Sequence, residues 1–362
     1  MRIFIDIGHP AHVHLFKNFI WEMEKRGHKI KVTARDKDVT KQLLDAYQIP
    51  YESFGGLKYG KLNLLLEWIF RDIKILKIAI KFNPDILIGN LNPAIVHAAK
   101  ILGKNSIIFT DTEPESVKYP IADLITTPLA DVIITLDSVQ HNYGKKEIRV
   151  NSYKELAYLH PNWFIPNPDV LRKAGLKEGE NYVILRFVAW GAYHDVGKAG
   201  FSLEEKRRLI ELLEPHARVF ISSESKIPEE FEKYNIPVRP DEMHDFLYYA
   251  MILISDSQTM TTEAAVLGTP AIRCNNFVGK NDMGNFIELE NKFQIIFNFT
   301  EFSEALPKIN ELLKYSQLKE EWNRRKITLL DEKIDLTAFF VWFIDNFPLS
   351  FHEMKEMHRN EF

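Results

Sequence analysis

Short apolar, β-branched runs alternate with longer segments of helical period along nearly the whole chain, the pattern of parallel strands covered on both faces by helices. Residues 2–7, 29–34, 85–89, 105–109 and 131–136 read as strands of a first unit, with helices over 13–26, 38–47, 61–82 and 92–102 between them. A second series of strands follows at 181–186, 217–221, 251–255, 270–273 and 293–297, each separated by a helix-length segment. Between the two series, residues 158–171 hold Pro161, Pro166 and Pro168 around Asn162-Trp163-Phe164, a density of proline that regular elements do not accept. The expected organisation is therefore a first domain over 1–160, a linker over 161–172 and a second domain over 173–330. A strongly apolar helix within 331–347 is expected to return to the first domain, and the polar tail 348–362 to fray. Open α/β sheets bind ligands at the carboxyl ends of their strands, so the two domains are expected to face a common cleft.

Composition narrows the class. At 362 residues, 46% hydrophobic and 27% charged, the chain is globular and longer than one core usually allows. A formal net charge of -4 gives no reason to expect a nucleic-acid partner. The single cysteine, Cys274, excludes an internal disulfide and fits a reducing compartment. Met1-Arg2 leads directly into the strand-like Ile3–Ile7, so no cleavable leader is expected, and no run approaches the ~18 apolar residues of a spanning helix. The expected location is cytoplasmic. Segment 57–82 qualifies this, because an apolar stripe through Leu62, Leu65, Leu66, Ile69, Ile73, Leu76 and Ile80 lies opposite Lys58, Lys61, Arg71, Lys74, Lys77 and Lys81, with Glu67 and Asp72 the acids. The segment reads either as a helix packed on the sheet or as a peripheral contact with the inner membrane face. Nothing in the chain decides an oligomeric state.

The densest candidate chemistry lies at Asp256–Arg273. A buried strand ends in the polar Ser255–Gln258, and a helix then runs from Thr259 to Leu267, closed by Gly268 and Pro270. Such a helix start presents unpaired N–H groups and a positive dipole end, which suit phosphate; a plain capped helix has the same local pattern. Ser257, Gln258 and Thr259 are the candidate phosphate contacts, and Glu263, about one turn further in, could accept hydrogen bonds from a pair of ribose hydroxyls. In the same unit Arg186 ends a strand and precedes a loop carrying His194 and Lys198, where phosphate charge would need neutralising. Ser222, Ser223 and Glu224 end another strand with groups fit for a diphosphate or a base, and Met243-His244 begins a short helix whose backbone could meet a nucleobase edge.

The first strand ends in Asp6-Ile7-Gly8-His9-Pro10-Ala11-His12-Val13-His14. Gly8 allows a sharp turn, and His9 faces the loop either as a general base or in a purely structural role; His12 and His14 fall where a helix begins and at least one of them would cap or pack, with His12 also a candidate acceptor or sugar contact. Carboxylate or cysteine partners at metal-ligating spacing are lacking, so no metal site is expected. Asn90 and Asn92, in the turn after the strand near Ile88, could orient sugar hydroxyls or cap the next helix. Asp111, Glu113 and Glu115 crowd another strand end, as sugar contacts, a general base or solvated acids.

The segment Ile5–His14 resembles the opening of a prokaryotic family catalogued as domain of unknown function 354, and the resemblance extends over about residues 1–345. That family is grouped with the GT-B superfamily of glycosyltransferases and UDP-N-acetylglucosamine 2-epimerases. The resemblance implies an α/β, GT-B-like fold: two Rossmann-like parallel-sheet α/β/α domains facing a cleft, with a C-terminal helix packing back on the first domain. By position, Ser257, Gln258, Thr259 and Glu263 resemble the superfamily's donor diphosphate and ribose contacts, Arg186, Ser223 and Met243 resemble further nucleotide-binding positions, and His9 sits in the loop that carries the base in many transferases. The epimerase pattern is only partly met: Gly89-Asn90 stands where it has Gly-Asp, and Tyr119–Asp123 lacks its paired glutamates. An amide cannot take up a proton as a carboxylate does. The resemblance thus implies a metal-independent glycosyltransferase that needs no cofactor, uses a nucleotide diphosphate sugar such as a UDP-sugar, and acts on a glycan or lipid-linked acceptor. His9 or Glu113 would take the acceptor proton, with Arg186 and the helix start stabilising the leaving diphosphate. The alternatives are a UDP-N-acetylglucosamine 2-epimerase-like enzyme and a non-catalytic sugar-nucleotide-binding protein.

Overall fold

The alternating pattern folds into two parallel sheets, seven-stranded and five-stranded. The computed structural model describes every residue except 38, 55–60, 115–120, 178, 189–199, 280–281 and 361–362; within helices, the side chains of 61–67 and 358–360 are also outside the description. The chain divides into two compact units, one holding Met1–Pro114, residues 121–158 and the segment from Ile334, the other Leu159–Lys333.

In the first unit the strands are β1 (Arg2–Ile7), β2 (Lys29–Arg35), β3 (Tyr51–Phe54), β4 (Ile86–Asn90), β5 (Asn105–Phe109), β6 (Val132–Leu136) and β7 (Glu147–Val150), in spatial order β3-β2-β1-β4-β5-β6-β7. The order reverses direction at β1, which pairs with both β2 and β4, so the carboxyl ends of β1 and β4 flank the crevice where open sheets take ligands. Strands β3 and β7 were not expected. They are four residues each, of mixed polarity, at the sheet edges, where only one side of the ladder is paired with a strand and an apolar run is not required.

The helices of this unit are α1 (Pro10–Lys25), α2 (Thr40–Ala46), α3 (Lys61–Phe82), α4 (Pro93–Leu102), α5 (Ile121–Thr126) and α6 (Leu156–Leu159). Helix α1 begins three residues earlier than expected, because Pro10 fits the first helical position, where no N–H is needed. Helix α3 departs from one of its two readings, the one that packs the whole stripe on the sheet; of the described stripe residues Leu76 packs against the core. Its packed face is Ile75 and Ala79, set in a core with Phe4, Leu87, Ile95 and Ile108, whereas Ile69, Ile73 and Ile80 of the expected stripe are 48%, 46% and 58% exposed. The helix is apolar on more than one side, so periodicity alone does not choose which side meets the sheet. Residues Lys58, Lys61, Leu62, Leu65, Leu66 and Glu67 of that reading lie outside the described side chains.

The second unit has β8 (Tyr182–Phe187), β9 (Arg218–Ser223), β10 (Ile252–Ser255), β11 (Ala271–Cys274) and β12 (Ile296–Phe299), in order β12-β11-β10-β8-β9. Its helices are α7 (Asp169–Lys173), α8 (Leu203–Leu213), α9 (Met243–Tyr249), α10 (Gln258–Leu267), α11 (Gly284–Asn291), α12 (Phe302–Lys314) and α13 (Leu318–Glu332). Helix α7 is a regular turn inside the proline-rich stretch, starting just past Pro168.

After the second sheet, α14 (Leu336–Asp345) and α15 (Leu349–Asn360) belong to the first unit. Phe340 of α14 packs on Phe16, Phe19 and Phe109, and Thr337 donates to the backbone oxygen of Ala157 at 2.7 Å. The tail expected to fray is α15. Ser350, fully buried, donates to Phe343 O at 2.6 Å, and Lys355 donates to the backbone oxygen of Glu147 on β7. Docking on β7 supplies the stability that the polar sequence does not advertise.

Candidate functional site

In the second unit the turn after β10 is pinned from both neighbouring strands. Asp256, 1% exposed, accepts from Val188 N through Oδ1 at 2.8 Å, and its backbone oxygen accepts from Asn275 Nδ2 at 2.9 Å. Ser255 Oγ accepts from Ser257 N at 2.7 Å, Ser257 Oγ caps α10 by accepting from Met260 N at 3.5 Å, and Thr261 Oγ1 donates to Ser257 O at 2.6 Å. Gly268 closes α10 with φ +78, a left-handed conformation that favours glycine. Of the ten residues of α10, all are buried except Gln258 and Thr259, so the helix meets solvent only at its positive end.

Parallel register brings Arg186 and Ser222 to the level of Ser255. Arg186 Nη1 donates to Ser222 Oγ at 2.8 Å and Nη2 to the Glu224 carboxylate, while Nε is buried without an acceptor among the described residues. Below this edge His244 Nε2 meets Glu263 Oε1 at 2.9 Å.

The first unit holds a second cluster at the ends of β1 and β4. Asp6, fully buried, accepts from Thr33 Oγ1 at 2.6 Å and from both Arg71 and Asn92. Asn92 also caps α4, accepting from Ala94 N at 3.1 Å. A Cβ at Gly8 would stand 3.3 Å from Arg71 Nη2, and one at Gly89 2.9 Å from Asn92 Cβ, so both glycines permit close approaches. Leu91 between the two asparagines has φ +34, a strained conformation for a branched residue. Around these groups Trp68, His12, Asn90, His97 and Ala122 help to line a pocket of about 310 Å³. His12 Nδ1 accepts from Gly8 N at 3.4 Å, and enclosure with the nearby charges of Lys154, Arg71 and Lys37 pushes its pKa down from 6.5 to about 3. The neutral ring therefore carries its proton on Nε2, as a donor.

Residues 1–338 match the family described as "Protein of unknown function (DUF354)". The chain belongs to the DUF354 family. A curated relative, an uncharacterized protein of Methanocaldococcus jannaschii, is 22% identical over 286 residues, covering 76% of this chain and 82% of its own. Among solved structures, the UDP-GlcNAc 2-epimerase of Neisseria meningitidis bound to UDP-GlcNAc superposes with a TM-score of 0.65 at 12% identity, over 94% of this chain and 98% of that one. The spinosyn rhamnosyltransferase SpnG with spinosyn aglycone gives 0.60 at 10% identity, over 96% and 100%. This DUF354 chain thus shares the two-sheet GT-B fold of both enzyme groups.

Within that fold the expected residues of the DUF354 chain fall into groups. Ser257, Gln258, Thr259, Arg186, Ser222, Ser223 and Glu224 lie at one carboxyl edge of the second sheet, and Met243 starts α9. His194 and Lys198 lie outside the described residues. His12, Asn90 and Asn92 share the pocket of the first unit. His14 packs, with its ring 5.2 Å from that of Tyr158 and 5.8 Å from that of Tyr47. His9 caps α1, and its Nδ1 accepts from Ala11 N at 3.2 Å, which occupies a lone pair that a base would use. Asp111 pairs with Lys154 at 2.6 Å. Glu113, 6% exposed, accepts from Gln140 N at 3.2 Å.

Sequence reasoning missed Asp6, Arg71 and the Asp72–His97 pair at 2.7 Å. Asp6 carried a usable signal, an acid inside an apolar strand just before a glycine. Arg71 carried none, because it looked like one more cation on a basic helix face.

Proposed function

We propose that this DUF354 protein is a metal-independent GT-B-type glycosyltransferase that takes a nucleotide diphosphate sugar, a UDP-sugar first among them, at the β10–α10 edge and uses it in glycan synthesis. One observation carries the reading: α10 is buried along its length and reaches solvent only at Gln258 and Thr259. First-turn amides have no intrahelical acceptors, and with the dipole they favour a bound diphosphate. Arg186 stands at the same edge, already engaged by Glu224, and would exchange that partner for phosphate oxygens. Such donors can stabilise a leaving diphosphate without a metal ion. Likeness in fold to an epimerase bound to UDP-GlcNAc and to a rhamnosyltransferase complexed with spinosyn aglycone supports the class of ligand. On the acceptor side, Trp68, Asn90 and His12 offer an aromatic ring and polar groups to a sugar or a lipid-linked glycan. Of the two bases expected, Glu113 is preferred, because His9 is committed to its cap.

The test is thermal unfolding of the full chain with UDP, GDP, CDP, ADP, TDP and their common sugar conjugates. A ligand at about 100 times its Kd adds about 2.7 kcal/mol to stability. Selective stabilisation by one base, reduced by Arg186→Ala and Thr259→Pro, supports the donor site; no response to any of them removes it. With the donor known, product formation that requires an acceptor and is lost in Glu113→Gln supports transfer. A C2 epimer formed without acceptor favours the epimerase reading, and binding without turnover the non-catalytic one.

A further inference from the structure

Helix α3 turns part of its apolar stripe outward. Ile69, Ile73 and Ile80 lie on one side, at 48%, 46% and 58% exposed, with Phe70 beside them at 36%. None of the four is needed to cover the sheet, since Ile75 and Ala79 on the opposite side fill the core. Flanking the apolar row are Lys74, Lys77 and Lys81, which with Arg2 and Lys31 line an open groove of about 490 Å³. The acid of that groove, Glu52, is bound to Lys31 at 2.8 Å, and the acid among the helix's described side chains, Asp72, turns to His97 at 2.7 Å. From Trp68 to Phe82 the outward face therefore carries isoleucine, phenylalanine and lysine, and no acid, on a chain whose net charge is -4. Helix α5, which lines the neighbouring pocket through Ala122 and Ile125, exposes Ile121 and Leu124 at 40% and 65%.

We propose that this face of α3 docks on an anionic membrane surface, lying in its plane. Among the described residues no helix is long and apolar enough to cross a membrane. An interfacial helix places its apolar residues among the upper acyl chains, while lysines on its flank reach back to the phosphates. Charge complementarity selects this occupant over a second copy of the chain, because a two-fold pairing through α3 would bring the lysine row towards its own copy. The inference does not rest on the nucleotide reading.

The experiment is co-sedimentation of the full-length protein with vesicles of phosphatidylcholine alone and of phosphatidylcholine mixed with phosphatidylglycerol. The expected result is binding to the mixed vesicles that declines steeply as salt rises, with little binding to the neutral ones. A Lys74→Gln, Lys77→Gln, Lys81→Gln variant should partition on the order of 100-fold more weakly, since each basic residue near such a surface contributes about 1 kcal/mol. An Ile69→Ser, Ile73→Ser variant should lose roughly tenfold or more. Both sets are exposed, so circular dichroism and the unfolding midpoint should match the unsubstituted protein, which separates lost docking from lost folding. The proposal is overturned if the protein stays in the supernatant with both vesicles, or if both variants bind as well as the parent. It is equally overturned if the isoleucine variant converts a dimer to a monomer in ultracentrifugation without any vesicle binding, which would make the face an interface between copies.

Discussion

His244 Nε2 and Glu263 Oε1 meet at 2.9 Å inside the second unit, with the residues 4% and 5% exposed, and so tie α9 to α10 just below the exposed helix start. Glu263→Ala removes a buried acceptor and should cost about 1–3 kcal/mol in urea unfolding. Glu263→Gln keeps an oxygen in the same place and should stay within about 1 kcal/mol of the parent. If Glu263 also holds ribose hydroxyls, the glutamine variant will bind UDP more weakly at nearly unchanged stability. Unchanged affinity would leave the residue with the helix tie alone.

Asp6 is the counterpart in the first unit, a fully buried carboxylate holding Arg71, Asn92 and Thr33. Asp6→Asn leaves the Arg71 charge uncompensated and should destabilise by about 3–5 kcal/mol. Removing the charge as well, in Asp6→Asn with Arg71→Met, should recover part of that loss. A double-mutant cycle by chemical denaturation reads the coupling directly, and additive costs would show that the pair does not act as one.

Gly89 makes a separate, steric prediction. A methyl group there would sit 2.9 Å from Asn92 Cβ and 3.2 Å from Ile95 Cγ1, both held by α4. Gly89→Ala should therefore cost about 1–3 kcal/mol and loosen the Asn92 cap. A variant as stable as the parent would show that α4 can move away freely.

The pKa of His12, about 3 in the folded protein against 6.5 unfolded, gives a pH dependence of known sign. Between those values the unfolded chain binds a proton at this residue that the folded chain does not, so its contribution is full above 6.5 and is lost as pH falls towards 3. His12→Gln should flatten that part of the stability curve measured by denaturant unfolding. Nitrogen chemical shifts should show a neutral ring at pH about 5, where an ordinary histidine is charged; a charged ring there would refute the assignment.

Much of this was legible in the sequence, and the reason differs by element. The strands β1, β2, β4, β5, β6, β8, β10 and β11 announce themselves because central parallel strands are buried on both faces and need continuous apolar runs, and the edge strands β9 and β12 are marked by apolar residues of their own. The β10–α10 edge is legible because its parts are local: a serine cap, a short turn and a closing glycine within Ser255–Gly268. By contrast, β3 and β7 are four-residue edge strands of mixed polarity with no apolar run to mark them, and α15 is stabilised by docking, not propensity.

What the tertiary structure alone decided is the cluster around Asp6, whose members Asp6, Thr33, Arg71 and Asn92 come from four separate elements. No periodicity links residues that meet only after β1, β2, α3 and α4 have assembled. The same holds for α3, where an apolar sequence on more than one side left two ways to pack. The sheet took Ile75 and Ala79, turned Arg71 inward to a buried carboxylate and left Ile69, Ile73 and Ile80 to the solvent. Sequence determined that an apolar, basic helix would form there; which face it buried depended on the shape and charge of the surface waiting for it.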